Sequence, residues 1–294
     1  MGLNPAARRA RRPVGAIFVI FLVADRRSPQ LHSHVKPGTL AAVLALVLAA
    51  VHPAAAQLRI DINIPENRPR VVEGDSVLRT YRVSVGLPGH DTPDGEFTIG
   101  RAEWNPSWRP PDREWARDDR FTPPGPNNPM GRVKLFFAPY YYIHGTPDTA
   151  NIGQAASHGC VRMRNRDVIE LARFLHTRAQ PTVAPAEIDA ILRRSGTTRW
   201  STFRAPVPLT IRYEPIVVQG GELRVFPDVY DRSRIHTEAV IQALLAAGYD
   251  GASINRGQIR AVLQRARAAE SAFSIRLAEA FSGLRRREDA AARE

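Results

Sequence analysis

The sequence predicts a mainly β domain with short helices, followed by a C-terminal helical segment. Three observations carry this. Leu58-Arg59-Ile60-Asp61-Ile62-Asn63-Ile64 alternates apolar and polar with period two, as a half-buried strand does. Turn chemistry at Gly86-Leu87-Pro88-Gly89 and Thr92-Pro93-Asp94-Gly95 then cuts the chain into short pieces as far as Ile143. Apolar residues at helical spacing begin only after Asn165 and dominate the last sixty residues.

The elements follow in order. Val71-Val72, a turn at Glu73-Gly74-Asp75, and Ser76 to Val85 read as a hairpin with its return strand. Glu96 to Arg101 is a short strand, and Val133 to Phe137 and Tyr140 to Ile143 read as buried strands leading into His144. Between them, Asn105 to Pro129 is rich in proline, charge and aromatics without a period. Long insertions of this kind are either binding lids or solvated surface loops with tucked rings. Asn165 reads as an N-cap ahead of Arg166 to Leu175. Pro185 to Arg193 suggests a short helix, Val207 to Tyr213 a strand, and Ile216 to Phe226 a hairpin. Thr237 to Ala247 and Gly257 to about Phe281 read as helices, the second with a stripe of Ile259, Val262, Leu263, Ala266, Phe273 and Leu277 suited to core packing.

Upstream, Lys36-Pro37-Gly38 precedes an apolar run from Leu40 to Val51 and then Ala54-Ala55-Ala56. A positive flank, a short apolar core and a small-residue end describe a secretory signal peptide, with cleavage expected after Ala56. The run falls short of the about 20 residues that a spanning helix needs. An earlier apolar run, Val14 to Ala24, follows an arginine cluster and lacks a cleavage site; translation starting near Val35, or an anchored N-terminus, would account for it. Three regions are therefore expected: 1–56 for targeting, 57–184 as the main β domain, and 185–294 as an extension of a hairpin and helices.

The 294 residues carry a formal net charge of +12, and the first thirty-six supply about half of it. No arginine stripe marks the middle of the chain, so no nucleic-acid partner is expected. Membrane contact is expected only through the N-terminus, if it stays uncleaved. Cys160 is the single cysteine, which excludes an internal disulfide and any multi-cysteine metal site. A lone cysteine is more often a small buried hydrophobe than a nucleophile, but in an oxidising compartment a retained thiol calls for explanation.

Its neighbours supply one. Ile143-His144-Gly145-Thr146 is followed by Ser157-His158-Gly159-Cys160-Val161-Arg162-Met163. A thiol becomes a strong nucleophile as thiolate, and a nearby imidazole both takes its proton and stabilises the charge. His144 closes a strand and Cys160 stands ahead of a helix, whose N-terminal dipole would favour the thiolate. Gly145 and Gly159 would let the backbone approach substrate, and amides at Gly159 and Cys160 offer an oxyanion hole. His158 reads as a structural histidine rather than the proton acceptor. Arg162 is suited to a substrate carboxylate or to an ion pair with Asp167.

His144-Gly145-Thr146 and Ser157 to Asn165, ending at Asp167, resemble the signature of the L,D-transpeptidase family (YkuD/ErfK type). Val83 to Gly86, Thr92 to Ile99, Asn105 to Trp108 and Pro124 to Gly131 resemble that family's other blocks in the same order, over roughly Gln57 to Val183. The resemblance implies a β-sandwich or mixed-sheet catalytic domain with a capping loop over the site. It implies attack by Cys160 on a peptidoglycan stem tetrapeptide, release of the terminal D-alanine, and transfer of the acyl group to an amine acceptor. Cys160 matches the nucleophile and His144 the base; Ser157, His158, Gly159, Arg162 and Gly145 match supporting or substrate-binding positions. The third triad element is commonly a backbone carbonyl near the base, and no metal or cofactor is implied. Glu222 to Arg232 resembles a segment that follows this domain in some members. The same acyl-enzyme would also serve an L,D-carboxypeptidase or a cross-link hydrolase. A non-catalytic wall-binding protein would need neither Cys160 nor His144, and a metal enzyme would have to use His144, His158 and Cys160 as ligands.

Overall fold

The computed structural model describes residues 57–269 and 271–288. The expected signal peptide, its cleavage point and the Val14 to Ala24 run lie outside the described residues. Among the described residues, no helix is long and apolar enough to cross a membrane.

The period-two segment forms β1 (Leu58–Asn63), which pairs antiparallel with β2 (Arg68–Glu73), and β2 with β3 (Ser76–Thr80). The single return strand expected from Ser76 to Val85 is instead broken at Tyr81-Arg82. The Tyr81 amide still bonds to Pro69 O and that of Val83 to Asn67 O, after which β4 (Val83–Gly86) joins the far end of the sheet. β5 (Gly95–Trp104), β6 (Val133–Ala138) and β7 (Tyr141–Thr146) form an antiparallel meander. β8 (Ala155–Ser157) and β9 (Val161–Arg164) complete that half, with β9 lying parallel to β7.

β9 leads into α1 (Asn165–Arg178), then α2 (Pro185–Arg193). Val168, Leu171, Ala172 and Leu175 form the buried face of α1, each large side chain contributing about 1.5–3 kcal/mol of burial. Asn165 does not cap this helix. Its Oδ1 accepts from the Arg132 amide at 2.8 Å, so the side chain serves the loop beneath β7 instead.

β10 (Arg199–Arg212) then inserts between β1 and β5, parallel to one and antiparallel to the other. The strand expected at Val207 to Tyr213 is its second half. The sheet reads β3-β2-β1-β10-β5-β6-β7-β9-β4-β8, so residues beyond 184 complete the layer that carries the site. Ile60, Ile99, Trp104, Leu135, Ile143 and Met163 are fully buried in its core.

The remaining residues build a second core. β11 (Ile216–Gln219) and β12 (Glu222–Val225) form the expected hairpin. They pack with α3 (Thr237–Ala246) and α4 (Arg256–Arg267) around Leu223, Val240, Leu244, Ile259 and Val262. The long helix expected from Gly257 to Phe281 ends at Arg267. Phe273–Arg276 alternates with period two and forms β13 against β12, before the short α5 (Leu277–Ala280). Phe273 and Leu277 thus reach the core from a strand and a separate turn of helix, not from one stripe.

Candidate active site

The site lies where β7 and β9 run side by side. Their register sets Ile143 against Val161 and His144 against Arg162. Side chains alternate across a sheet, so Val161 and Met163 enter the core while Cys160, Arg162 and Arg164 share the opposite face. His144 lies on that face too, diagonal to Cys160 at about 7–8 Å between backbones, within reach of two side chains.

A row of charge crosses the sheet here, because Glu103 pairs in register with Lys134, Lys134 with His144, and His144 with Arg162. Lys134 Nζ meets Glu103 at 3.0 Å, with both side chains nearly buried, and stands 4.8 Å from the Tyr142 ring centroid.

His144 is 1% exposed. Its Nδ1 lies 2.6 Å from the carbonyl oxygen of Gly145. A carbonyl only accepts, so Nδ1 carries the hydrogen and Nε2 the lone pair. Burial pushes the imidazole pKa down to about 3; the carbonyls of Gly145 and Met130 oppose this, while Arg162 and Lys134 reinforce it. The resting imidazole is therefore neutral.

Burial pushes the Cys160 thiol up, against a backbone hydrogen bond from Tyr142 and the charges of Arg162 and Lys134, which favour the thiolate. Sγ donates to the Tyr140 carbonyl at 3.6 Å. Among the described residues, no hydrogen bond joins Sγ to the His144 ring. The resting pair is thiol and imidazole, not thiolate and imidazolium.

The turn before Cys160 is held by Ser157. Its hydroxyl donates to Cys160 O and accepts from the Gly159 amide at 3.1 Å. That amide is thereby occupied, which leaves the Cys160 amide as the candidate oxyanion donor of the two. Gly159 has φ +101°, and a Cβ there would stand 2.7 Å from the Tyr141 ring and 3.3 Å from Asp91 O, so only glycine fits. Gly145 is buried, and a Cβ on it would meet Asn165 Oδ1 at 2.2 Å. Its smallness serves internal packing beneath His144, not approach by substrate.

Cys160 precedes a strand, not a helix. The first turn of α1 begins at Asn165, beyond the range over which a helix terminus acts on the thiol. Asp167 pairs with Arg166 at 3.0 Å. Among the described residues, Arg162 donates to Ala156 O at 3.2 Å and has no carboxylate within ion-pair distance, the Asp148 carboxylate acting on it only from farther away.

The His158 ring stacks on Trp115 at 4.0 Å between centroids and meets His90 edge-on at 4.7 Å. Burial, His90 and Arg162 all lower its pKa. Trp115 belongs to the proline-rich insertion, which folds back on itself through the Trp108–Thr122 bridge. Asn105 anchors its root, donating to the carbonyls of Ile191, Arg194 and Thr197. The insertion thus lies against the Ser157–Cys160 turn. On another side, Tyr140 and Tyr142 line an open cavity of about 640 Å³ with Phe136, Phe137 and Arg101.

Two residues that sequence reasoning did not single out also hold the turn. Thr92 Oγ1 donates to Gly159 O at 2.9 Å and accepts from the Gly86 amide at 2.8 Å. Tyr230 Oη accepts from the Thr92 amide at 3.0 Å. Arg232 ties the same segment down through Asp91 and Asp94. Thr92 and Tyr230 stand in the stretches Thr92 to Gly95 and Glu222 to Arg232, which were visible signals without a visible partner. Among the described residues, no group of three or more His, Cys, Asp and Glu side chains is placed to hold a metal ion.

Residues 57–188 match the family model of the L,D-transpeptidase catalytic domain, YkuD. The chain is 29% identical over 150 residues to the putative L,D-transpeptidase YkuD of Bacillus licheniformis, covering 50% of this chain and 79% of that one. It is 33% identical over 125 residues to the probable L,D-transpeptidase ErfK/SrfK of Escherichia coli, but covers only 40% of that protein's length. Among solved structures, it overlaps an L,D-transpeptidase from Mycobacterium smegmatis at 15% identity, TM-score 0.33, over 53% of this chain and 59% of that one. The catalytic domain of the Enterococcus faecium L,D-transpeptidase overlaps at 14% identity, TM-score 0.34, over 54% and 98% respectively. These overlaps are too loose to carry an argument. The match to the family model and the similarity to its curated relatives do carry one: residues 57–188 of this chain match the L,D-transpeptidase catalytic domain family.

Proposed function

We propose that the chain is a peptidoglycan L,D-transpeptidase with Cys160 as nucleophile and His144 as general base. The observation that carries this reading is the shared face of β7 and β9, which sets a buried neutral imidazole diagonal to the chain's one thiol. Sγ attacks the carbonyl of the third stem residue as its proton passes to Nε2 of His144. The Gly145 carbonyl holds the ring and stabilises the imidazolium that forms. The tetrahedral oxyanion faces the Cys160 amide. As it collapses, the carbon–nitrogen bond to D-alanine breaks, and the leaving amine takes the proton from His144. An acceptor amine then attacks the thioester, and the thiol departs with a proton returned to it. Arg162 supplies a guanidinium for a substrate carboxylate. Ser157, Gly159 and Gly145 hold the geometry, and His158 fixes the insertion through Trp115. Catalysis needs no cofactor.

Transfer is favoured over hydrolysis because the insertion lies against the catalytic turn, where it would keep water from the acyl-enzyme. We further propose that residues 1–56 direct export and are removed after Ala56, placing the enzyme in the periplasm or cell envelope. N-terminal sequencing of the mature protein should begin at or near Gln57; a chain still starting at Met1 would contradict this. For the chemistry, intact-protein mass after exposure to a carbapenem should rise by one adduct in the wild type and not in Cys160→Ala. An adduct on the variant would sink the assignment.

A further inference from the structure

A second concavity lies at the other end of β9. Cys160, Arg162 and Arg164 share one face of the strand, and at about 3.3 Å per residue Arg164 stands roughly 13 Å from the thiol. There Arg164 borders a cavity of about 370 Å³ with Arg68, Arg79, Arg82, Arg166 and Tyr81.

Its charge is not balanced. Arg79 pairs with Glu170 and Arg166 with Asp167. Among the described residues, Arg68, Arg82 and Arg164 have no carboxylate within ion-pair distance. Five guanidinium groups against two carboxylates leave three positive charges around one hollow. The register of β4 on β9 sets Val83 against Met163, so Arg82 falls opposite Arg164. Like charges facing each other across a ladder destabilise it. The first turn of α1 opens into the same hollow, with Arg164 at its N-cap and, among the described residues, no side-chain cap hydrogen bond from that position.

A separate observation points to a ligand. Tyr81 is 7% exposed, and among the described residues its hydroxyl has no hydrogen-bond partner of good geometry, only a loose approach to the Glu170 carboxylate. Burial and the nearby Glu170 carboxylate hold the phenol well above its usual range. The hydroxyl stands close to Glu170, whose charge and loose hydrogen bond both raise its pKa, so it is a donor in the cavity wall that a ligand would share with that carboxylate.

We propose that this cavity binds a phosphate-type polyanion, held by Arg68, Arg82, Arg164, the Tyr81 hydroxyl and the α1 amides. Three net charges and forked guanidinium donors suit a phosphomonoester or pyrophosphate better than a single carboxylate. The site is distinct from the thiol and does not depend on it. A phosphate free in solution and one borne on a lipid headgroup offer the same chemistry.

The test titrates inorganic pyrophosphate into the full chain at fixed ionic strength by calorimetry, with thermal melts alongside. Wild type and Cys160→Ala should bind and melt higher with ligand, more weakly as salt rises. Arg82→Gln/Arg164→Gln should bind at least about tenfold more weakly, and without ligand should melt no lower than wild type because a repulsion is gone. Sedimentation with phosphatidylcholine vesicles containing phosphatidic acid separates the sources. Co-sedimentation that the double variant loses assigns a lipid-borne phosphate, and pyrophosphate binding without it assigns a free one. Failure of both probes to bind wild type overturns the proposal, and so does binding that the double variant leaves unchanged. Loss of acylation in Cys160→Ala with pyrophosphate binding intact keeps this test separate from that of the proposed reaction.

Discussion

His144→Gln removes a titrating group while keeping a polar side chain of similar reach. In the folded protein the imidazole stays neutral down to about pH 3; unfolded, it titrates near about 6.5. Between these values the unfolded chain binds a proton that the folded chain refuses, so stability is highest above pH 6.5 and falls as pH drops towards 3. From pH 7 to pH 5 this one group should cost about 2 kcal/mol, and over the whole window about 5 kcal/mol. Burial also lowers the pKa of His158 and His176, so wild type carries a background that must be subtracted. Urea unfolding at pH 7 and pH 5 on both proteins does so. Wild type should lose about 2 kcal/mol more than His144→Gln. An equal loss would mean that the ring is solvated or charged in the folded state, and would refute the neutral base. The functional corollary is that His144 should stay competent as a base well below pH 6.5.

Tyr230→Phe should slow carbapenem acylation about tenfold with little change in fold, because the Thr92 amide loses its acceptor and Thr92 positions Gly159; stopped-flow rates at wild-type level would remove Tyr230 from the site's support. Gly159→Ala should abolish acylation while leaving the circular dichroism spectrum near wild type, since the clash is with the Tyr141 ring and φ is +101°; an active variant would contradict the packing. Lys134→Met should cost about 3–5 kcal/mol by stranding the nearly buried Glu103 carboxylate. Adding Glu103→Gln should recover much of that loss in urea melts, and no recovery would mean that the two do not form a coupled pair.

The signals within short stretches were the legible ones. Leu58 to Ile64 reads as a strand because one face of it is buried, and its residues Leu58–Asn63 form β1, with Ile64 opening the turn that follows. His144 and Cys160 were placed near each other by composition and resemblance, and the parallel β7–β9 pairing is the means. Pairings over long sequence distances were not legible. Nothing in Arg199 to Arg212 says that it will lie between β1 and β5, and nothing in Tyr230 says that its hydroxyl meets an amide 138 residues away. Tyr81-Arg82 looks like the middle of a strand because the change of edge is made by hydrogen bonds to Asn67 and Pro69, not by a glycine or proline. Asn165 has the chemistry of a cap, but a tertiary partner, the Arg132 amide, claims its side chain. Phe273 to Arg276 fits a helical stripe by spacing and becomes a strand because β12 offers a free edge.

The central claim is that the Cys160 thiol, with His144 as base, exchanges the terminal D-alanine of a stem tetrapeptide for an amine. Mass spectrometry of purified tetrapeptide muropeptides incubated with the full chain tests it most directly. The account predicts free D-alanine, a transient acyl adduct mapped to Cys160, and a cross-linked product formed through the third stem residue, all absent in Cys160→Ala. Release of D-alanine with only shortened, uncross-linked peptides would make the enzyme a carboxypeptidase, and unchanged muropeptides or products formed by Cys160→Ala would contradict the account.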